Sequence, residues 1–223
     1  PVDSGFKSVI QLVITTSRLY NAAGCAAHAR RAWVVASTYA QHRRAFGGPI
    51  AQFSAVKETL AGMRADAAGS IASTLWLAEL LEAVDAGSIS ERDAALFRVG
   101  VNLNKLVTAL LAHEAVNAGI EVLGGNGAIE SFSILPRLLR DNVVYENWEG
   151  THNVLRAQVL RDCARFGVHA GFFDALASRL GEEAVASDRA EMDAVLGSEP
   201  DLAALRFKRL ATRMAILMMQ AAM

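Results

Sequence analysis

The chain has 223 residues, of which 52% are hydrophobic and 20% charged, with a formal net charge of −1. That is enough apolar material for a sizeable core, and it argues against disorder along the whole length. The near-zero charge argues against bulk nucleic acid as a partner, because non-specific phosphate binding needs clustered cations.

Alanine is abundant and proline scarce, which suits tightly packed helices. Apolar residues recur at helical spacing from about Gly5 to Arg43, through Val9, Leu12, Val13, Leu19, Tyr20, Ala23, Ala27 and Trp33-Val34. Thr15, Thr16 and Ser17 interrupt this stripe just before Arg18. Hydroxyls and an arginine there suit either a polar ligand or a local surface patch.

Gly47-Gly48-Pro49 ends this helix and opens a second, predicted from about Ala51 to Ala86, with Phe53, Val56, Leu60, Met63, Ala67, Ile71, Leu75 and Ala78 as its apolar stripe. Ser90-Glu91-Arg92-Asp93 resembles a capping box with aspartate in place of glutamate. A third helix is predicted from Glu91 to Leu123, carrying His113 as a core or hydrogen-bonded histidine. Gly124-Gly125 stops it as a C-cap. The loop then continues to Ser133, and Pro136 opens a short helical turn.

A fourth helix runs from about Thr151 to Arg165. Beyond Phe166-Gly167 come an amphipathic stretch from about Ala170 to Leu196, a turn at 197–200 and a last helix from about Leu202. The reading is all-α: an up-and-down four-helix bundle over residues 1–166 with a helical extension over 167–223.

Cys25 and Cys163 have apolar or helical neighbours and read as buried small hydrophobes rather than a disulfide or metal pair, in keeping with a cytoplasmic setting. Pro1-Val2-Asp3-Ser4 lacks the basic start of a signal peptide, and no uninterrupted apolar run is long enough to span a bilayer. The chain opens without methionine and ends on an apolar helical pattern without a stop signal, which reads as a fragment of a longer protein.

The richest stretch is Asn147-Trp148-Glu149-Gly150-Thr151-His152-Asn153. Glu149 lies between a bulky aromatic that excludes water and a glycine that admits close approach, a setting for a general base. The alternative is an acid near the start of the helix at Thr151, favoured by the helix dipole. Glu149 and His152 have the Glu-x-x-His spacing of di-iron bundles, but such a site needs a second motif and two further glutamates, so metal is set aside. Gly124-Gly125-Asn126-Gly127 follows a helix and is not a dinucleotide fingerprint.

Four segments occur in fixed order: Arg43-Arg44-Ala45-Phe46-Gly47-Gly48-Pro49-Ile50-Ala51-Gln52-Phe53, Glu121-Val122-Leu123-Gly124-Gly125-Asn126-Gly127, Leu138-Leu139-Arg140-Asp141 and Trp148-Glu149-Gly150-Thr151. Together they resemble the C-terminal helical domain of the acyl-CoA dehydrogenase family, over about residues 8–165. Trp-Glu-Gly-Thr-His-Asn and the extension resemble most the branch associated with the adaptive response to alkylation.

The resemblance implies FAD as cofactor, an acyl-CoA substrate, electron-transfer flavoprotein or another electron acceptor, and a homodimer or homotetramer; the charge balance disfavours nucleic acid, and no membrane partner is expected. The resemblance assigns Glu149 as the catalytic base. Arg43, Phe46, Glu121, Gly124, Gly125, Thr151 and Asn153 fall at its flavin positions, and Arg18 and Gly150 at the substrate side near the base. A role in nucleic-acid protection and an acyl-CoA oxidase activity are the alternatives it leaves.

Several positions depart from the family pattern. Ala45 stands where a hydroxyl is common, Ser54 and Glu121 replace glutamines, and Asn153 shortens another. Where some relatives carry the base, just before the Arg18 position, this chain has Ser17.

Overall fold

The computed structural model describes Gly5 and residues 13–223; Val9 and Leu12, assigned above to the first helix, lie outside the described residues. The fold is all-α, apart from one two-residue hairpin. Its elements in order are α1 (Thr15–His42), β1 (Arg44–Ala45), β2 (Gly48–Pro49), α2 (Ser54–Asp85), α3 (Glu91–Leu123), α4 (Leu135–Asn147), α5 (His152–Phe166), α6 (Val168–Leu180), α7 (Glu182–Leu196) and α8 (Pro200–Ala222). Short 3-10 turns, Ile50–Gln52 and Gly124–Ala128, precede α2 and follow α3.

Helix α3 is the central pillar, packing against α1, α2, α4, α5, α6 and α8. Helix α1 approaches it on a seam of small residues: Ala22, Cys25, Ala26, Ala29, Ala32, Ala36 and Ala40 are all buried. Small side chains let backbones close up, and at Gly119 of α3 an added Cβ would come within 3.6 Å of the Ala32 carbonyl oxygen. The start of α3 is fixed as its sequence suggested. The Ser90 hydroxyl accepts from the Asp93 backbone N–H at 3.1 Å. It donates back to the Asp93 carboxylate at 2.8 Å, the shorter acid returning to the hydroxyl.

Helices α2 and α3 are each long and apolar enough to cross a membrane by length and composition. Their most apolar windows are 44% and 50% buried within the fold, as core helices are.

Three local expectations are corrected. Pro136 does not open a short turn: it sits in the first turn of the 13-residue helix α4, which buries Leu135, Leu138 and Asn142. Proline is tolerated there because the first-turn N–H groups have no intrahelical partner. The amphipathic stretch 170–196 is two helices, broken at Gly181 with φ 87°, a backbone state that glycine adopts without penalty. Leu75, placed on the α2 stripe, is 60% exposed, and the inner face instead carries Ser70, Ser73, Thr74, Trp76 and Leu77. The polar members are satisfied across the helix pair: Ser73 Oγ donates to Asn104 Oδ1 at 2.7 Å, and Asn104 Nδ2 donates to Thr74 Oγ1 at 2.9 Å.

Helices α6–α8 do not hang off the bundle. Phe172, Phe173, Leu176, Val185, Met192, Phe207, Leu210, Met214 and Met218 join one apolar cluster with Leu77, Leu96, Leu103 and Leu106. Each such side chain contributes roughly 1.5–3 kcal/mol by leaving water. Cys25 and Cys163 are buried free thiols.

Candidate active site

Helix α4 must end and α5 begin within a few residues, and the chain turns there through two left-handed positions. Trp148 is extended at φ −68°, ψ 144°. Glu149 has φ 60° and Gly150 φ 111°. Among the described residues only Phe46 shares a positive φ with Glu149 outside glycine. A side chain in this region costs about 1–3 kcal/mol, which persists only when surrounding contacts over-determine it.

Those contacts are explicit, because a helix C-terminus leaves its last carbonyls without intrahelical donors. Val144 O accepts from Trp148 N at 2.8 Å. Tyr145 O accepts from Asn21 Nδ2 of α1 at 3.0 Å. Glu146 O and Gly150 O both accept from Lys105 Nζ of α3, each at 2.8 Å. Glu149 O accepts from Arg18 Nε at 2.9 Å. Arg18 Nη1 reaches on to Asn102 Oδ1 at 2.6 Å and Gln158 Oε1 at 2.8 Å, so one buried guanidinium joins α1, α3, α5 and the loop. Burial lowers the Arg18 pKa, and the nearby Glu149 charge partly restores it.

The half-buried Glu149 carboxylate faces α1, where Ser17 Oγ donates to Oε1 at 3.0 Å. Glu149 also stands two positions before the N-cap of α5. The N-cap of α5, Thr151, makes no side-chain cap bond, and no acid stands in the first turn of α5. Trp148 is 56% exposed, so it gives Glu149 no seal against water within this chain. His113, expected to be a core or hydrogen-bonded histidine, is only partly buried, and its Nδ1 lies 2.6 Å from Glu146 Oε1 without the geometry of a hydrogen bond.

The sequence-predicted residues fall into separate groups. Arg18, Glu149 and Gly150 come together: a Cβ on Gly150 would lie 3.5 Å from Arg18 Nη2. Arg43, Glu121, Gly124 and Gly125 line a recess of about 320 Å³ with Tyr39 and Asn126. Arg43 and Glu121 are both exposed there, and neither is in an ion pair among the described residues.

Phe46 belongs to neither group. It sits at the tip of the β1–β2 hairpin, with Arg44 opposite Pro49 and Ala45 opposite Gly48. It is 94% exposed and meets only the edge of Phe53 among aromatic rings, at 6.3 Å. Paired positive φ at Phe46 and Gly47 (50° and 93°) suits the right-handed twist of a two-residue hairpin. Thr151 and Asn153 are exposed at the start of α5, where Asn153 Oδ1 accepts from Arg156 Nη1 at 3.2 Å; they line neither this recess nor the larger cleft. That cleft, of about 1050 Å³, opens beyond Arg18 and Asn102 between the ends of α1, α2, α3, α5 and α6.

Sequence reasoning missed Asn102, Lys105 and Gln158, and took Ser17 as one of three hydroxyls beside Arg18 and as the lack of a base there, not as a partner of Glu149. The one available signal was three polar residues, Asn102, Asn104 and Lys105, inside the most apolar helix.

Comparison with known proteins identifies the family and the fold. The family described as acyl-CoA dehydrogenase, C-terminal domain, matches residues 3–164. The chain is 36% identical over 152 residues to acyl-CoA dehydrogenase family member 11 of Caenorhabditis elegans, covering 68% of this chain and 24% of that protein. It is 32% identical over 161 residues to AidB of Escherichia coli, covering 72% of this chain and 28% of the relative. Among solved structures, Caenorhabditis elegans ACDH-11 in complex with C11-CoA superposes with a TM-score of 0.82 at 28% identity, over 94% of this chain and 38% of that one. The chain belongs to the acyl-CoA dehydrogenase family, a family of FAD-dependent oxidoreductases, and corresponds to its C-terminal helical domain. It spans about a quarter of the length of the two curated relatives.

Proposed function

We propose that the complete protein dehydrogenates an acyl-CoA thioester between its α and β carbons, with Glu149 as the base that removes the α-proton. The observation that carries this is the loop itself. A glutamate occupies a left-handed position, its backbone pinned by Arg18 and its carboxylate oriented by Ser17. Such effort at a non-glycine position aims a carboxylate, and an aimed carboxylate is what proton abstraction needs. The Ser17 hydroxyl occupies one carboxylate oxygen and leaves the other for the substrate proton.

The residues of the smaller recess fit FAD in part. Arg43 offers an exposed guanidinium suited to fork-shaped bonds to a pyrophosphate, and a Cβ at Gly125 would meet nothing within 4 Å, so the backbone there is open to close approach. Glu121 on the same rim opposes phosphate, so Arg43 must dominate the local field. Bound FAD would accept the β-hydrogen as hydride. Exposed Tyr20, Val143, Val144, Trp148 and Val154, on or near the base loop, form a surface for further parts of the protein or a second subunit. Electron-transfer flavoprotein or another acceptor would complete turnover.

A nucleic-acid role gains no support from α6–α8. Arg189 pairs with Asp174 and Glu182, Arg213 pairs with Asp188 and Glu191, and Arg179 lies over the Trp76 ring at 4.1 Å. Those cations are engaged with acids or rings; Arg206, Lys208 and Arg209 of α8 are exposed and in no ion pair among the described residues, but one short cluster is not an extended phosphate-binding face.

The test is α-proton exchange of an acyl-CoA in deuterated buffer, catalysed by the complete protein and its Glu149→Gln variant. Exchange should vanish while bound FAD remains stoichiometric. Unchanged exchange would refute the assignment.

A further inference from the structure

One of the largest fully buried side chains is not apolar. Lys105 of α3 has 0% exposure, surrounded in sequence by the core residues Val101, Leu103, Leu106 and Val107. No carboxylate oxygen lies within ion-pair distance of its ammonium among the described residues; its contacts are the backbone carbonyls of Glu146 and Gly150. Burial brings its pKa down to about 8. The charged and titratable groups around it are Cys25 and Arg18 on α1, Glu146 on α4, Glu149 on the loop and His152 at the start of α5. A buried ammonium is costly, and a methionine of similar length would fill the space without that cost. The fold alone therefore gives no reason for the lysine.

The two carbonyls give one. Glu146 O belongs to the last turn of α4, where the negative end of the helix dipole favours a cation. Gly150 O lies just past the base. One ammonium thus closes the loop 147–150 at both ends, with the strained Glu149 between them. Arg18 holds the middle of that loop at Glu149 O.

We infer that Lys105 is a positioning residue for the base: it tethers both ends of the Glu149 loop to the central helix and so sets where the carboxylate stands. It touches neither substrate nor cofactor. The inference rests on the reading of Glu149 as the base.

The experiment compares Lys105→Met, Ser73→Ala and Glu149→Gln in the complete FAD-loaded protein. Ser73 is equally buried, but bonds only to Gly69, Ser70 and Asn104, away from the loop. Lys105→Met should lower kcat and α-proton exchange in parallel, by about 100-fold, since a misplacement near 1 Å costs that much. KM should move less than about threefold on this reading, and FAD content should stay stoichiometric. Ser73→Ala should lower the melting temperature and leave kcat unchanged.

Equal loss of kcat in both variants, or a Lys105→Met effect confined to KM or FAD content, overturns the inference. Exchange lost in Glu149→Gln but retained in Lys105→Met removes the tether alone. Exchange surviving in Glu149→Gln removes the base and the tether together. If Lys105→Met does not accumulate, Lys105→Gln carries the same comparison, because it keeps donors for one carbonyl and should show an intermediate kcat.

Discussion

Replacing Arg18 by methionine should reveal how much of the fold hangs on a single side chain. Arg18 is 7% exposed and donates to Glu149 O, Asn102 Oδ1 and Gln158 Oε1, three partners on three different elements. Hydrogen bonds from a charged group contribute roughly 1.5–3 kcal/mol each, but removing the guanidinium also removes its desolvation cost. Gln158 is only half-buried and can turn to water, as can the partly buried Glu149 carbonyl. Asn102 is 4% exposed, and its Oδ1 loses its donor. The balance is a loss of about 3 kcal/mol, dominated by the stranded Asn102 oxygen and the loosened loop. For a chain of this size that is roughly 6–12 °C in melting temperature. The assay is thermal unfolding beside Arg137→Met, whose ion pair with Asp141 is a surface i,i+4 contact between side chains 73% and 46% exposed. The Arg137 variant should lose less than about 1 kcal/mol. Equal melting temperatures for the two variants would refute the account of Arg18 as the junction.

The two glycines of the α3 turn should separate fold from cofactor. A Cβ at Gly127 would lie 2.4 Å from the Ile120 carbonyl oxygen, so Gly127→Ala should destabilise the chain by about 2–3 kcal/mol in urea unfolding. Gly125→Ala meets nothing within 4 Å and should unfold like the parent, yet weaken FAD binding in the complete protein; unchanged FAD affinity would detach Gly125 from the cofactor. The thiols supply a pH test. Burial pushes both Cys25 and Cys163 from the ordinary 9.0 up to about 12, so the folded chain keeps their protons while the unfolded chain loses them. Their contribution to stability is intact below pH 9 and lost as pH rises toward 12. Urea midpoints should fall more steeply above pH 9 in the parent than in a Cys25→Ala, Cys163→Ala variant, and matching slopes would contradict the burial effect.

Much of the scaffold was legible because its signals are local. Periodicity located α1, α2, α3 and α5, and Ser90 with Asp93 marked a helix start that the structure bears out in its hydrogen bonds. Helix α4 was under-read because Pro136 was taken for a short turn, although Leu135, Leu138 and Asn142 are buried and Leu139 and Tyr145 pack against the same cluster. The break at Gly181 was missed although the apolar pattern slips there: buried Leu176 and Val185 are nine positions apart, a spacing that one continuous helix would place on opposite faces. The site was harder for a different reason. Its decisive contacts join residues far apart in sequence: Arg18 and Glu149 are 131 positions apart, and Lys105 and Gly150 are 45 apart. No window of sequence holds both partners, so Asn102 and Lys105 looked like interruptions of an apolar helix.

Backbone strain connects the legible part to the illegible part. The two non-glycine residues with left-handed φ among those described, Phe46 and Glu149, were both singled out from the sequence, Glu149 for its chemistry and Phe46 by the family resemblance. Nothing in the sequence announced their conformation, because a phenylalanine and a glutamate are poor candidates for it. On folding grounds alone glycine is the better residue at position 149: it would relieve about 1 kcal/mol or more of strain, and Gly150 next door already shows the turn tolerates it. The fold instead holds a glutamate there with Arg18, Lys105 and Ser17, drawn from two different helices. A structure that supports a disfavoured residue so heavily is specifying the side chain rather than the turn. The carboxylate of Glu149, and not the loop that carries it, is therefore what α1 and α3 are arranged to present.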